Sequence, residues 1–442
     1  MFSFIKKHQK KLIVFLVLLA GFVLRIVLVN KVIVGDLLAY LEWGQRYRDW
    51  GGQGYYFGQH AWTYSPPNYP PISSWIFAGL SWLYQHRFWT AQLHNLIRFP
   101  PAVFIVYFYK YGEVLLFKLL PILADLGLGI IIYKLVKKFT KSYARAIGAM
   151  AFFVLNPVTI FISGAWGQTD SFVAIIGMLS FLLLLSGRVS FSMLLFFLGM
   201  YFKPTWGLLI PFYLYVLYLK KPALKSFILG SLLIVAVLII VSWPFAEGNL
   251  FVFTKKVWFD RYFLPIRSAG RASPSAFNLM TFFLKIDRDS YNAKILGILT
   301  ANLFGLIAYA AVNVFAFKFV KRTKNLLWGV VVGIFTIGLG SFLFMSNMLE
   351  RYFFPALAPM VIIMFTDIKT LVYGAMMNLI LFANIIWSFY RRGSDEIDHP
   401  FTNNNFLLIR VLSLAQVLGY ALILRLLRLG EGRLPNRESN RP

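Results

Sequence analysis

Asp36 opens the stretch GDLLAYLEW, directly after the first apolar run of the chain, 12–34 (LIVFLVLLAGFVLRIVLVNKVIV). An acid kept so close to lipid is uncommon without a purpose. Helical spacing sets Asp36, Tyr40 and Trp43 along one face with Glu42 turned away, which suits a general base beside an aromatic wall. The same position suits an N-cap, whose carboxylate accepts backbone N–H bonds worth about 1 kcal/mol. In SGAWGQTDS (163–171), Trp166, Gln168 and Asp170 stand between two apolar runs. Gln168 and Asp170 could hold sugar hydroxyls, or the segment could be a tight turn in which Asp170 caps the next helix. Lys203, in YFKPTW, lies between two short apolar runs with no acid adjacent. An unpaired lysine at that depth costs about 2.5–3.5 kcal/mol, so an anion should neutralise it, either a lipid phosphate or Asp125 of PILADLG. Arg351, in NMLERY (347–352), carries a planar fork that could grip a phosphate bidentately. It could equally snorkel at the interface or pair with its neighbour Glu350. RSAGRASPSAFNLM (267–280) adds Arg267, Arg271, Ser273, Ser275 and Asn278, a loop able to close over a charged substrate or simply a solvated one.

Such groups need a scaffold within a membrane, and composition supplies one. Of 442 residues, 59% are hydrophobic and 18% aromatic, and mean hydropathy is +0.68, beyond a water-soluble domain, whose apolar share is about half. The chain reads as a polytopic membrane protein of the all-α class. Its net charge of +27, from 44 basic and 17 acidic side chains, comes in short groups between apolar runs, which is a topology signal and not a nucleic-acid surface. Basic groups at cytoplasmic helix ends also suit anionic headgroups of the bilayer. With no cysteine, disulfides, thiolate nucleophiles and cysteine-held metals are excluded. The basic start and long apolar run, without a small-residue cleavage site, read as a retained anchor.

A crossing needs about 20 apolar residues, and about 12 transmembrane helices are expected, near 12–33, 114–135, 145–163, 171–187, 189–202, 204–219, 226–244, 295–317, 326–345, 352–367, 370–389 and 406–427. Lys6, Lys7, Lys10 and Lys11, then Lys134 to Arg145, Lys220 to Lys225, Lys318 to Lys324 and the arginine-rich end place both termini inside. The two spans flanking Lys203 are short, as half-helices around buried sites are. Residues 1–427 form a single transmembrane domain, and 428–442 a polar, basic tail read as disordered. Outside, 35–113 is one long loop with helices at 36–50 and 72–84, whose Trp43, Trp50, Trp75, Trp82 and Trp89 suit the headgroup interface. The loops 245–294 and 390–405 complete that side. No internal repeat is visible.

The order of these residues resembles the GT-C superfamily of glycosyltransferases. The likeness is nearest to the dolichyl-phosphate-glucose glucosyltransferases of the endoplasmic reticulum and to bacterial relatives that use polyprenyl-phosphate sugars. It rests on Asp36 and Trp43, on YPP at 69–71 beginning a helix, and on FKLLPILADLGLGIIIY (117–133). NPVTIFISGAWGQTDS, the lysine of FKP, SPSAFNLM and LERYFFP continue it to about residue 360. Each motif is weak alone, and their order is the specific feature. Many bacterial relatives have histidine before the Glu-Arg-Tyr, where this chain has Leu349, so no histidine can serve there. Residues 368–442 carry no likeness.

The resemblance implies an inverting transferase on the extracytoplasmic face, moving a hexose or pentose from a polyprenyl monophosphate to an acceptor hydroxyl on a glycan, lipid or protein. Asp36 would be the general base. Lys203 and Arg351, helped by Arg267 or Arg271, would hold the donor phosphate, and Trp43, Tyr69, Trp166, Gln168, Asp170, Asn278 and Glu350 would line the substrate site. No cofactor is expected, and no metal, since no soluble domain carries an acidic Asp-x-Asp pair and single-Asp members of this class work without one. A bacterial plasma membrane is the expected location. A flippase for lipid-linked sugars, or a ligase or polymerase drawing on a diphosphate carrier, are the alternatives. The large outer loop and the outward placement of polar groups weigh against a carrier, whose site would sit at mid-membrane between repeats.

Overall fold

The computed structural model describes residues 2–58, 60–263, 270–393 and 406–429. Arg267, most of the 390–405 loop and the tail beyond residue 429 lie outside the described residues. The chain is helical almost throughout. Among the described residues the strands are a single antiparallel hairpin, Lys294–Ile295 with Leu299–Thr300. Eight helices are long and apolar enough to cross a bilayer: Gln9–Leu28, Ala102–Thr140, Tyr143–Trp166, Leu224–Phe245, Ala301–Arg322, Leu326–Phe344, Ile368–Tyr390 and Leu407–Arg428. Three apolar helices are shorter, Asp170–Leu185, Val189–Phe202 and Phe354–Thr366. The protein is therefore an integral membrane protein. Leu326–Phe344 is buried over nearly its whole length and lies inside the bundle. Leu224–Ser242, by contrast, buries only Gly230 and Ser242 and presents leucine, isoleucine and valine outward, as a lipid-facing helix does.

Three elements position the polar residues. Helix α1 (Phe2–Leu28) ends in a turn at 29–34, and α2 (Gly35–Trp50) starts immediately beyond it. Helix α3 (Pro71–Gln85) begins on a proline at its first position, where the missing N–H costs nothing. Both agree closely with the helices expected at 36–50 and 72–84. They pack so tightly that a Cβ at Gly44 would lie 2.5 Å from the carbonyl oxygen of Phe77, so only glycine fits there.

Helix α4 (Trp89–Ile97) leads to α5 (Ala102–Thr140), which at 39 residues is about 58 Å long, nearly twice a hydrocarbon core of about 30 Å. The crossing expected at 114–135 is only its middle. Residues 102–113 are apolar and aromatic enough to continue the helix, and they dock the loop helices. Glu113 accepts from Gln45 at 2.9 Å and from Ser81 at 3.1 Å, and Tyr84 donates to the Tyr109 carbonyl at 2.8 Å. The two long loops also meet. Tyr47 and Phe245 rings lie 4.7 Å apart, Tyr56 packs on Phe253, and Trp75 donates to the Val241 carbonyl at 3.0 Å.

Trp75, Trp82 and Trp89 are well exposed, whereas Trp43 is 1% exposed. Trp43 is thus a core residue and not an interfacial one. Its ring lies among Tyr40, Tyr69 and Phe77, and its indole N–H donates to the Ser65 carbonyl at 2.7 Å.

Candidate functional site

Helix α6 (Tyr143–Val154) passes through a short turn begun by Pro157 into a π-helical turn, Ile160–Trp166. Such a widened turn re-aims side chains and is common at functional sites. It closes on Gly167, at φ +80°, a left-handed conformation that favours glycine, and so delivers Gln168 to the start of α2. There the Gln168 amide donates to Oδ2 of Asp36 at 2.5 Å, while its own oxygen accepts from the Tyr40 hydroxyl at 3.1 Å. Tyr40 in turn meets the Tyr69 hydroxyl at 3.0 Å. The face shared by Asp36, Tyr40 and Trp43 is thus realised, and Glu42 lies elsewhere, accepting the backbone N–H groups of Thr63 and Tyr64.

Neither acid is an N-cap. Val34 and Thr169 occupy those positions without side-chain caps, and Asp36 and Asp170 stand in the first turns of their helices, where a negative charge favours the helix dipole. Asp170 has another partner. The helix Val189–Phe202 stops at Lys203, whose extended backbone precedes a 3-10 turn starting at Pro204. Proline there disfavours helix at the preceding residue, which frees Lys203 to reach Asp170 Oδ2 at 2.8 Å. The alternative that Asp125 neutralises Lys203 is therefore overturned. Asp125 belongs to Arg25 of α1, at 3.1 Å, with Ser163 and Thr159 completing a fully buried cluster.

Arg351 joins the two acids. Its Nη2 lies 3.6 Å from Asp36 Oδ2, its Nε 4.0 Å from Asp170 Oδ2, and its Nη1 donates to Glu350 at 2.7 Å. Its guanidinium lies over the Trp166 ring at 5.4 Å, as the Lys203 ammonium does over Tyr69 at the same distance. Burial alone would lower the Arg351 guanidinium, but Glu350 and Asp36 hold it well above its usual value. Burial, with Tyr69 and Asp36 adding, pushes the Tyr40 phenol well up, so it stays a neutral donor. Three carboxylates face two cations here. All but one of these five charged side chains are nearly sealed, and Asp36 is the exception at 38% exposed. Its side-chain contacts all run through Oδ2, which leaves Oδ1 without a protein partner among the described residues. Arg351 Nε and Asp170 Oδ1 are buried without a hydrogen bond.

The remaining candidates divide. Trp166 is a wall under Arg351, buried against Phe389. Tyr69 is half-buried beside Lys203. Glu350 is sealed, bonded to Ser275 as well as Arg351. Asn278 is engaged elsewhere, capping Leu279–Phe283 and donating to the Phe342 and Met345 carbonyls at 3.2 Å. Arg271 is exposed, with Asp287 at 3.8 Å and the Arg288 carbonyl at 3.0 Å. Among the described residues no group of three or more His, Asp or Glu side chains could hold a metal ion. The sequence reading passed over Arg25, although an arginine inside an apolar run was itself a signal.

No family model matches the chain, and no curated protein matches it significantly.

Proposed function

We propose that the protein is an inverting GT-C-type glycosyltransferase that takes a sugar from a polyprenyl monophosphate carrier at the membrane's extracytoplasmic face. With the three shorter helices and the 204–220 segment counted as crossings, the eight long helices become twelve, an even number that sets Phe2 and Leu429 on the same side, the cytoplasmic one in this reading. The observation that carries the reading is the state of Asp36: one carboxylate oxygen fixed by Gln168 and Arg351, the other unpartnered among the described residues, on the one exposed side chain of a charged cluster.

In this reading Asp36 Oδ1 takes the proton of the acceptor hydroxyl as that oxygen attacks the anomeric carbon from the face opposite the phosphate. The bond from that carbon to the phosphate oxygen breaks, and the polyprenyl phosphate leaves with the electron pair. The leaving group needs cations and no proton. Arg351 and Lys203 supply them, the Nε of Arg351 making no hydrogen bond among the described residues. Because both cations already face carboxylates, the phosphate would exchange for part of those contacts. Half-buried Tyr69 offers a hydroxyl for the sugar, while the buried Gln168 and Tyr40 hold Asp36 in place. The test gives purified protein a panel of radiolabelled polyprenyl-phosphate sugars with membrane lipid acceptors, alongside Asp36→Asn. A base contributes about 10²–10⁴ in rate, so turnover should fall at least a hundredfold with donor binding kept. Near-normal turnover removes Asp36 from the chemistry, and movement of lipid-linked sugar across proteoliposomes without a new glycosidic bond favours a carrier.

A further inference from the structure

Lys118 lies on α5 seven residues before Asp125, on the same side of the helix, and is fully buried. Asp125 has Arg25. Lys118 pairs with no carboxylate among the described residues. Its ammonium instead donates to three backbone carbonyls, Val29 at 2.8 Å, Val32 at 2.7 Å and Ala165 at 2.6 Å, which uses all three of its donors. Those acceptors sit where α1 and the π-helical turn both run out, and a helix end leaves carbonyls that need donors and favours a cation. The two segments have more in common. Val32 is four residues before Asp36, and Ala165 three before Gln168.

We propose that Lys118 is a positioning residue that clamps these two segments together and thereby sets the contact between Asp36 and Gln168. Its aliphatic stem takes part. A Cβ at Gly167 would meet Lys118 Cε at 3.0 Å and Cγ at 3.1 Å, with Leu37 Cδ1 at 3.4 Å, so the stem fills the space between Gly167 and the residue after Asp36. A core lysine serving only to hold the bundle would be expected to bond helices along their lengths. Lys118 bonds only the two exits that carry the pair. The effect on turnover rests on the transferase reading, whereas the clamp does not.

The chain has no cysteine, so Asp36→Cys and Gln168→Cys can be introduced together in the full-length protein and joined by a short bifunctional methanethiosulfonate. The cross-linking rate should fall at least fivefold with Lys118→Met and by an intermediate factor with Lys118→Gln, which keeps two donors. In the chain without cysteines, Lys118→Gln should lower kcat at least tenfold with the donor KM within twofold. Cross-linking within twofold of the parent in folded Lys118→Gln overturns the clamp. So does failure of both variants to fold, because Lys118 then serves the bundle at large. Slower cross-linking beside a parent protein with no transferase activity keeps the clamp and removes the transferase.

Discussion

Gln168 and Asp36 are separated by 132 residues and meet at 2.5 Å. The contact fixes Asp36 Oδ2, and with Arg351 on the same oxygen the carboxylate can turn only so as to present Oδ1. Gln168 should therefore act as part of a unit with Asp36. Gln168→Leu is expected to lower kcat about tenfold or more, within the range of a misplaced general base. Asp36→Asn/Gln168→Leu should be no slower than Asp36→Asn alone, since groups that work together are not additive. Steady-state kinetics on the four proteins decide it, and losses that simply multiply would make Gln168 independent of the acid.

Lys203 and Asp170 form a buried pair whose separation costs more than their joint removal. Lys203→Met leaves Asp170 with Arg351 as its nearest cation at 4.0 Å and is expected to cost about 3–5 kcal/mol of stability. Adding Asp170→Leu should recover most of that, as apolar replacement of a buried pair is often neutral. The proposal for the donor phosphate adds a second expectation, that the double variant stays folded yet binds polyprenyl phosphate much more weakly. Denaturation in detergent and a lipid-phosphate binding assay separate the two. Full binding by the double variant would assign Lys203 to structure alone.

Much of this arrangement was legible one residue at a time. Asp36, Gln168, Asp170, Lys203 and Arg351 all stand at ends of apolar runs, and hydropathy marks such ends clearly. The pairings were not legible. Which acid neutralises Lys203 depends on where Pro204 stops a helix and how a π-helical turn is aimed, and neither leaves a periodic signal. Asn278 carried a suggestive motif, yet its amide is used to cap a helix and hold the Phe342 and Met345 carbonyls. Trp43 was misplaced at the interface because composition cannot tell a headgroup tryptophan from one walled in by Tyr40, Tyr69 and Phe77. The length of α5 escaped for a similar reason: a hydropathy window ends at the membrane, and the helix does not.

The packing between α2 and the loop that follows should fail in alkali. Burial raises the phenols of Tyr40, Tyr47 and Tyr55 above their usual value. A group whose folded pKa is raised contributes stability that is fully present below its unfolded pKa, near 10 for tyrosine. That stability is lost as pH climbs from there toward the folded value. Melting temperature should therefore be flat up to about pH 9 and fall above pH 10. Tyr55→Phe should soften the decline, since it removes one ionising group while giving up the hydrogen bond to the Trp43 carbonyl. An unchanged alkaline slope in that variant would show that Tyr55 ionises without unfolding.

Arg25 and Asp125 connect α1 to α5 deep in the bundle, and their neighbours leave the guanidinium well supplied. Beyond Asp125, Arg25 donates to the Gly21 and Val154 carbonyls at 2.9 and 2.7 Å and to Thr159 at 2.8 Å. Asp125→Leu removes the countercharge and keeps the cation, so it should cost about 3–5 kcal/mol. Arg25→Leu/Asp125→Leu removes both and should lie within about 1–2 kcal/mol of the parent, less any loss from the orphaned carbonyls. The pair is thus expected to serve stability, and the double variant should retain turnover, because the turn that presents Gln168 stays held by Lys118 at the Ala165 carbonyl. Thermal melts with an activity assay on both variants check this. A stable double variant without activity would instead make the Arg25–Asp125 pair part of what sets the π-helical turn.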